Sequence, residues 1–152
     1  MTDVPHLRLD AQLCFALHAT SRAMVQAYEP HLRKMGITYP QYLVLLVLWE
    51  EGTVKVGRLG ERLLLDSGTL TPLLKRMATQ GLLERRRDDA DERVVLVSLT
   101  PRGRALQKQA QTLPESLLCA MELSVAQATE LRGRLHRLLR SLRNTHPKEE
   151  SP

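Results

Sequence analysis

The chain has 152 residues, with 22 Lys and Arg against 17 Asp and Glu for a net charge of +5, only 3% aromatic residues and two cysteines. At this length about 70% of the unfolded surface can be buried without disulfide or metal staples. The basic balance favours a polyanionic partner, and the lack of aromatics argues against base-stacking platforms for single strands, leaving double-stranded DNA.

The N-terminus carries Asp3, His6 and Arg8 among apolar residues and does not read as a signal peptide. Residues 9–29 hold no Pro or Gly, and Leu13, Leu17, Met24 and Tyr28 recur at helical spacing, which predicts one long amphipathic helix that Pro30 bends or ends. Thr38-Tyr39-Pro40-Gln41 is a capping box that opens a second helix running to Glu51. Its apolar run, 43–49, is too short to cross a bilayer and reads as a buried core helix, so no membrane association is expected. Gly52-Thr53 closes it, a short third helix spans 55–64, and a turn follows at Leu65-Asp66. The fourth helix is capped by Asp66 or Ser67 and stops at Gly81, which suits a left-handed position.

On that helix Leu70, Leu73, Leu74 and Met77 make an inward stripe, and the opposite face carries Gly68, Thr69, Pro72, Lys75, Arg76 and Thr79. This small, polar, basic face suits a major groove. After Gly81 the period changes to alternation: 82–87 and 93–99 read as two strands joined by 88–92, a hairpin wing beside a helix-turn-helix. Arg85, Arg86 and Arg87 alternate sides and cannot all face one partner. Thr100-Pro101 restarts helix, Pro114 breaks or kinks it, and a second capping box, Ser124 to Gln127, starts a last helix bearing Leu131, Leu135, Leu138, Leu139 and Leu142. The tail from Asn144 to Pro152 is expected to be loose.

The expected fold is mostly α with a small β-hairpin wing. It is a winged helix-turn-helix over about 39–99 within a single domain spanning 1–152, flanked by helical arms at about 9–35 and 101–143. Arms with apolar stripes outside a complete small module need a partner, and a two-fold homodimer is the commonest solution. Cys14 and Cys119 stand too far apart in sequence for a disulfide scaffold or a CxxC metal knuckle, which points to the cytoplasm. His18, His31 and His136 have no metal-ligand spacing with them, so neither metal nor cofactor is expected.

The order helix, helix-turn-helix, Asp-x-Arg wing, helix-helix resembles the MarR family of repressors over nearly the whole chain. Leu13-Cys14-Phe15, 37–42 and 65–77 resemble, within it, the organic hydroperoxide resistance regulators. The resemblance implies a repressor that releases operator DNA when the first-helix cysteine is oxidised by an organic hydroperoxide. Cys119 resembles the second cysteine of the two-cysteine type, which resolves the oxidised Cys14 of the other subunit as a disulfide.

Taken alone, Cys14 is also what a small buried hydrophobe looks like, and Cys119 equally so. Cys14, Leu17, Ser21 and Tyr28 lie near one helix face, but Tyr28 is about 21 Å up the same helix and cannot reach Cys14 within one chain. Across an antiparallel pair of helices it can. The resemblance implies that Tyr28 and Tyr39 hydrogen-bond the partner's thiol, against ordinary packing as the alternative. For DNA, the expected contacts are Ser67, Thr69, Thr71, Pro72, Lys75 and Arg76 in the major groove. In the wing, Asp91 orients Arg93, which the resemblance carries into a narrow A·T-rich minor groove; the alternative there is a surface salt bridge. A symmetric dimer should read a pseudo-palindromic operator. Two other functions fit parts of the sequence: a repressor of the same fold released by a small phenolic ligand, and a thiol peroxidase using Cys14. The second lacks a thioredoxin-like βαβ pattern and has no use for a winged helix.

Overall fold

The computed structural model describes residues 4–145. Two short 3-10 turns, Pro5–Leu7 and Leu9–Ala11, precede α1 (Leu13–Met35). The first helix therefore starts four residues later than the spacing predicts, because 9–11 closes a tighter turn with Gln12 N–H donating to Leu9 O. It also runs through Pro30 instead of ending there. One missing amide on an exposed face is tolerated, and the helix stops only at Gly36, with φ +70.

Next come α2 (Tyr39–Glu51), β1 (Val54–Lys55), α3 (Val56–Leu63) and α4 (Ser67–Thr79), then β2 (Leu83–Arg87), β3 (Val95–Leu99) and α5 (Pro101–Ala110). The capping box forms at Thr38, with the Thr38 amide donating to Gln41 Oε1 at 3.0 Å. The run 43–49 is the buried core helix expected: Val44, Leu45, Val47 and Leu48 are all buried. Lys55, predicted to open the third helix, instead ends β1, which pairs antiparallel with β3 (Val54↔Val97). The wing hairpin β2-β3 is thus extended by β1 into a three-stranded sheet ordered β1-β3-β2 and is not a free hairpin. A two-residue strand has no period to read, so only its pairing reveals it. β3 begins at Val95, two residues later than expected, because Arg93 and Val94 still belong to the wing turn.

The predicted stripe of α4 is the centre of the core. Leu70, Leu73, Leu74 and Met77 are buried with Leu59, Leu82, Leu83 and Val97, each worth about 1.5–3 kcal/mol of burial. Gly81 has φ +69, as the stop signal requires. α5 docks so closely that a Cβ on Gly103 would collide with Leu82 O, and Gly103 O accepts a hydrogen bond from Trp49 Nε1 at 3.0 Å.

The described residues gather into two compact units that divide in sequence between Gln111 and Thr112. The second holds α6 (Leu113–Ala120), with Pro114 in its first turn, and α7 (Val125–Thr145). Pro114 marks a real break, since α5 has already ended at Ala110. The second capping box forms, with Ser124 N–H donating to Gln127 Oε1 and Gln127 N–H to Ser124 Oγ. On α7, Leu131, Leu135, Leu138 and Leu142 alternate four- and three-residue spacings, the seam of a coiled coil. Asn144 and Thr145, expected in the loose tail, still belong to α7; the rest of that tail lies outside the described residues. No described helix is long and apolar enough to cross a membrane.

Candidate DNA interface and thiol site

Asp66 caps α4, accepting from Thr69 N–H at 2.8 Å and from the Thr69 hydroxyl at 3.2 Å. These bonds from Thr69, backbone first, hold the Asp66 carboxyl below its ordinary range. The Thr69 hydroxyl is therefore committed locally. Ser67, Thr69, Pro72, Lys75 and Arg76 are exposed, while Thr71, next to the buried stripe, is half-buried. A cluster of ion pairs joins α2 and α3: Arg58 with Glu51 at 3.1 Å, and Arg62 with Glu50 at 2.7 Å and with Glu51.

At the wing tip, Arg93 donates from Nε to Asp91 Oδ1 at 3.1 Å and from its terminal nitrogen to Asp91 Oδ2 at 3.3 Å. The Arg93 side chain is 91% exposed. Its hydrogen bonds are the main reason the Asp91 carboxyl sits low, and the Lys55 charge adds to the effect. Of the three consecutive arginines, Arg85 lies opposite buried Val97 on the inner face of the sheet. Arg86 points the other way, paired with Asp89 at 3.3 Å. Arg87 donates to Glu92 O at 3.1 Å and braces the wing turn.

Cys14 is the second residue of α1 and is exposed, as is Cys119 on α6, so neither thiol is a buried hydrophobe within its own chain. Cys14 shares its helix with the exposed apolar residues Leu13, Phe15, Met24 and Val25. That helix has no side-chain cap at Gln12, so its first-turn amides have no capping side chain as partner.

Tyr28 and Tyr39 come together from α1 and α2, ring centroids 5.1 Å apart. Sequence reasoning missed the rest of the cluster. Tyr42 is 5.6 Å from Tyr28 and 6.2 Å from Trp49, so four of the five aromatic residues of the chain are contiguous. The helical offset from Tyr39 to Tyr42 was the available signal. Burial first, then the neighbouring phenols Tyr42 and Tyr39, push Tyr28 up to about 12; burial also raises Tyr39 and Tyr42. All three phenols stay protonated donors at neutral pH. Beside them opens a groove of about 440 Å³ lined by Val25, Leu32, Ile37, Tyr39, Gln41 and Gln80. Among the described residues no cluster of His, Cys, Asp or Glu could hold a metal ion.

The capped helix α4 with its exposed basic face, following α3 after a short turn and set beside a three-stranded sheet whose wing tip bears an exposed arginine, defines a winged helix-turn-helix module. Comparison with known proteins agrees. The family described as transcriptional regulator SarA/Rot matches residues 26–110. The organic hydroperoxide resistance transcriptional regulator of Bacillus subtilis is 50% identical over 137 residues, 90% of this chain and 93% of that one. Among solved structures, reduced AbfR bound to DNA superposes with a TM-score of 0.79 at 36% identity, covering 95% of this chain and 100% of that one. That protein, from Staphylococcus epidermidis, is also solved in a disulfide form that matches with a TM-score of 0.60 at 38% identity, over 88% and 94% of the two chains. A mutant of E. coli MarR complexed with operator DNA matches at 0.76 and 26% identity, over 84% and 93%. The chain belongs to the MarR family of transcriptional regulators, on the side of the organic hydroperoxide resistance regulators. Its relatives are regulators and not enzymes.

Proposed function

We propose that this chain is a homodimeric repressor of double-stranded DNA, one MarR-type domain per subunit, which releases its operator when an organic hydroperoxide oxidises Cys14. The observation that carries this reading is an exposed thiol on an apolar, exposed helix of the same compact unit that presents the α4 face and Arg93. Ser67, Thr69, Pro72, Lys75 and Arg76, with Thr71 behind them, enter the major groove, and Arg93, held by Asp91, enters an A·T-rich minor groove. The exposed apolar residues of α1 and the leucine seam of α7 supply the dimer contacts, which sets two recognition helices on a pseudo-palindrome.

In the switch, the Cys14 thiolate attacks the distal oxygen of the hydroperoxide. The O–O bond breaks, an S–O bond forms, and the alkoxide takes a proton and leaves as the alcohol. The phenols of Tyr28 and Tyr39 of the other subunit donate hydrogen bonds to the sulfur. The Cys119 thiol of the other subunit then attacks the sulfenic acid, forming the disulfide and releasing water. The oxidised dimer no longer spaces its recognition helices for both half-sites.

The test is operator binding by the purified dimer before and after an organic hydroperoxide, with and without dithiothreitol, for the wild type, Cys14→Ser and Cys119→Ser. Cys14→Ser should bind and ignore peroxide. Cys119→Ser should react but give no linked dimer on a non-reducing gel. A Cys14→Ser protein that still responds, or a disulfide confined to one subunit, sinks the mechanism. The groove beside Tyr39 favours one other reading, a MarR-type repressor released by a small phenolic ligand with no redox switch. Release of Cys14→Ser by such a ligand, with no response of the wild type to peroxide, would select it.

A further inference from the structure

Gln41 is the one buried polar side chain among the described core residues, 3% exposed. Both ends of its amide are engaged. The oxygen accepts from Thr38 N–H at 3.0 Å, and Nε2 donates to Gln80 Oε1 at 2.8 Å. These two bonds fix which end of the amide points where: the nitrogen needs an acceptor and Gln80 supplies it. Tyr39, which packs on Tyr28, lies between Thr38 and Gln41 in the first turn of α2. Gln80 is the C-cap of α4, directly behind its DNA-facing residues. The backbone carbonyl of Gln80 is held in turn by Arg102 of α5 at 2.6 Å.

We propose that Gln41 and Gln80 are positioning residues that couple the tyrosine site to the recognition helix. The inference rests on the thiol-switch reading above. Oxidation draws on Tyr28 and Tyr39, and any shift of Tyr39 moves the first turn of α2 to which Gln41 belongs. Because Gln41 is buried, losing its bond to Gln80 would leave an amide without a partner, a costly state that the pair avoids by moving together. The end of α4 therefore follows the start of α2, and the angle of α4 in the groove follows the state of the thiol. The bond is part-buried, with the Gln41 end in the core and the Gln80 end at the surface.

Gln80 is exposed at a helix end, so its variants should fold, and the conservative one can restore the acceptor. The experiment measures operator affinity of the dimer in the reduced state and after cumene hydroperoxide, and compares the ratio of the two. Gln80→Ala leaves the buried Gln41 amide nitrogen without its acceptor, so its thermal midpoint should fall by a few degrees. It should keep reduced-state affinity close to wild type but lose about fivefold or more of that ratio, which Gln80→Glu should restore. Gln80→Glu still offers an oxygen to Gln41 Nε2, and the ratio should return even where its charge lowers both affinities alike. A Gln80→Ala protein with the wild-type ratio overturns the coupling, as does a Gln80→Glu protein no better than Gln80→Ala. A wild-type protein whose affinity ignores oxidation overturns the switch itself and the coupling with it, so the two failures are told apart by the wild-type lane.

Discussion

Asp91 grips the guanidinium of Arg93 with both carboxylate oxygens, at 3.1 and 3.3 Å, while the arginine remains almost wholly in solvent. An exposed ion pair of this kind contributes little to folding. Its effect is to fix the direction of a side chain that has no other support, which matters only to something that binds there. Arg93→Ala should weaken operator binding by about 1–3 kcal/mol with no change in thermal midpoint, measured by titration at fixed salt. Asp91→Asn should weaken it less, through lost orientation. The carboxyl of Asp91 is held low by Arg93, so the grip is complete above the ordinary carboxylate range and is lost only as pH falls below it. An Arg93→Ala protein with unchanged affinity would remove the wing from the interface.

Tyr28 is pushed up to about 12 by burial and by its tyrosine neighbours, so its hydroxyl is a donor throughout the neutral range. Tyr28→Phe should slow oxidation of Cys14 by organic hydroperoxide about tenfold, the weight of a lost hydrogen bond to an ionised group, while leaving operator affinity of the reduced protein alone. Stopped-flow loss of free thiol measures the rate. The stability that depends on the neutral phenol is complete below about 10 and is lost as pH rises toward 12. Alkaline unfolding should therefore be less steep in Tyr28→Phe. An unchanged oxidation rate would reduce Tyr28 to a packing residue.

Gly103 faces the backbone carbonyl of Leu82 so closely that a Cβ there would overlap it, and backbone cannot yield as a side-chain tip can. Gly103→Ala should push α5 off the sheet, break the bond from Trp49 and cost about 3 kcal/mol of stability. Chemical denaturation gives the loss, and Trp49 fluorescence, from the only tryptophan, reports the broken bond. A fully stable Gly103→Ala protein would mean that α5 docks differently.

Leu64 closes α3 with φ +56, a conformation that favours glycine, and its side chain is 48% exposed. Leu64→Gly should relieve about 1 kcal/mol of strain and lose little burial, giving a protein at least as stable as wild type by thermal melt. Marked destabilisation would show that the leucine side chain anchors the turn.

Short-range physics is legible in the order of residues. The stripe Leu70, Leu73, Leu74 and Met77 settled which face of α4 points inward, because a helix repeats within a single segment. Thr38, Asp66, Thr100 and Ser124 marked helix starts, because a cap bonds an amide only a few residues on. The change from helical to alternating pattern after Gly81 located the wing. Meetings of residues distant in the chain emerge only when the elements pack. β1 exists because Val54 finds Val97. Tyr42 meets Tyr28 only once α1 lies on α2, and Gln41 finds Gln80 only once α4 does. Gly103 is required only because Leu82 is brought against it. No local period or spacing encodes these encounters. They follow from how the buried faces of separate elements fit when they share one core.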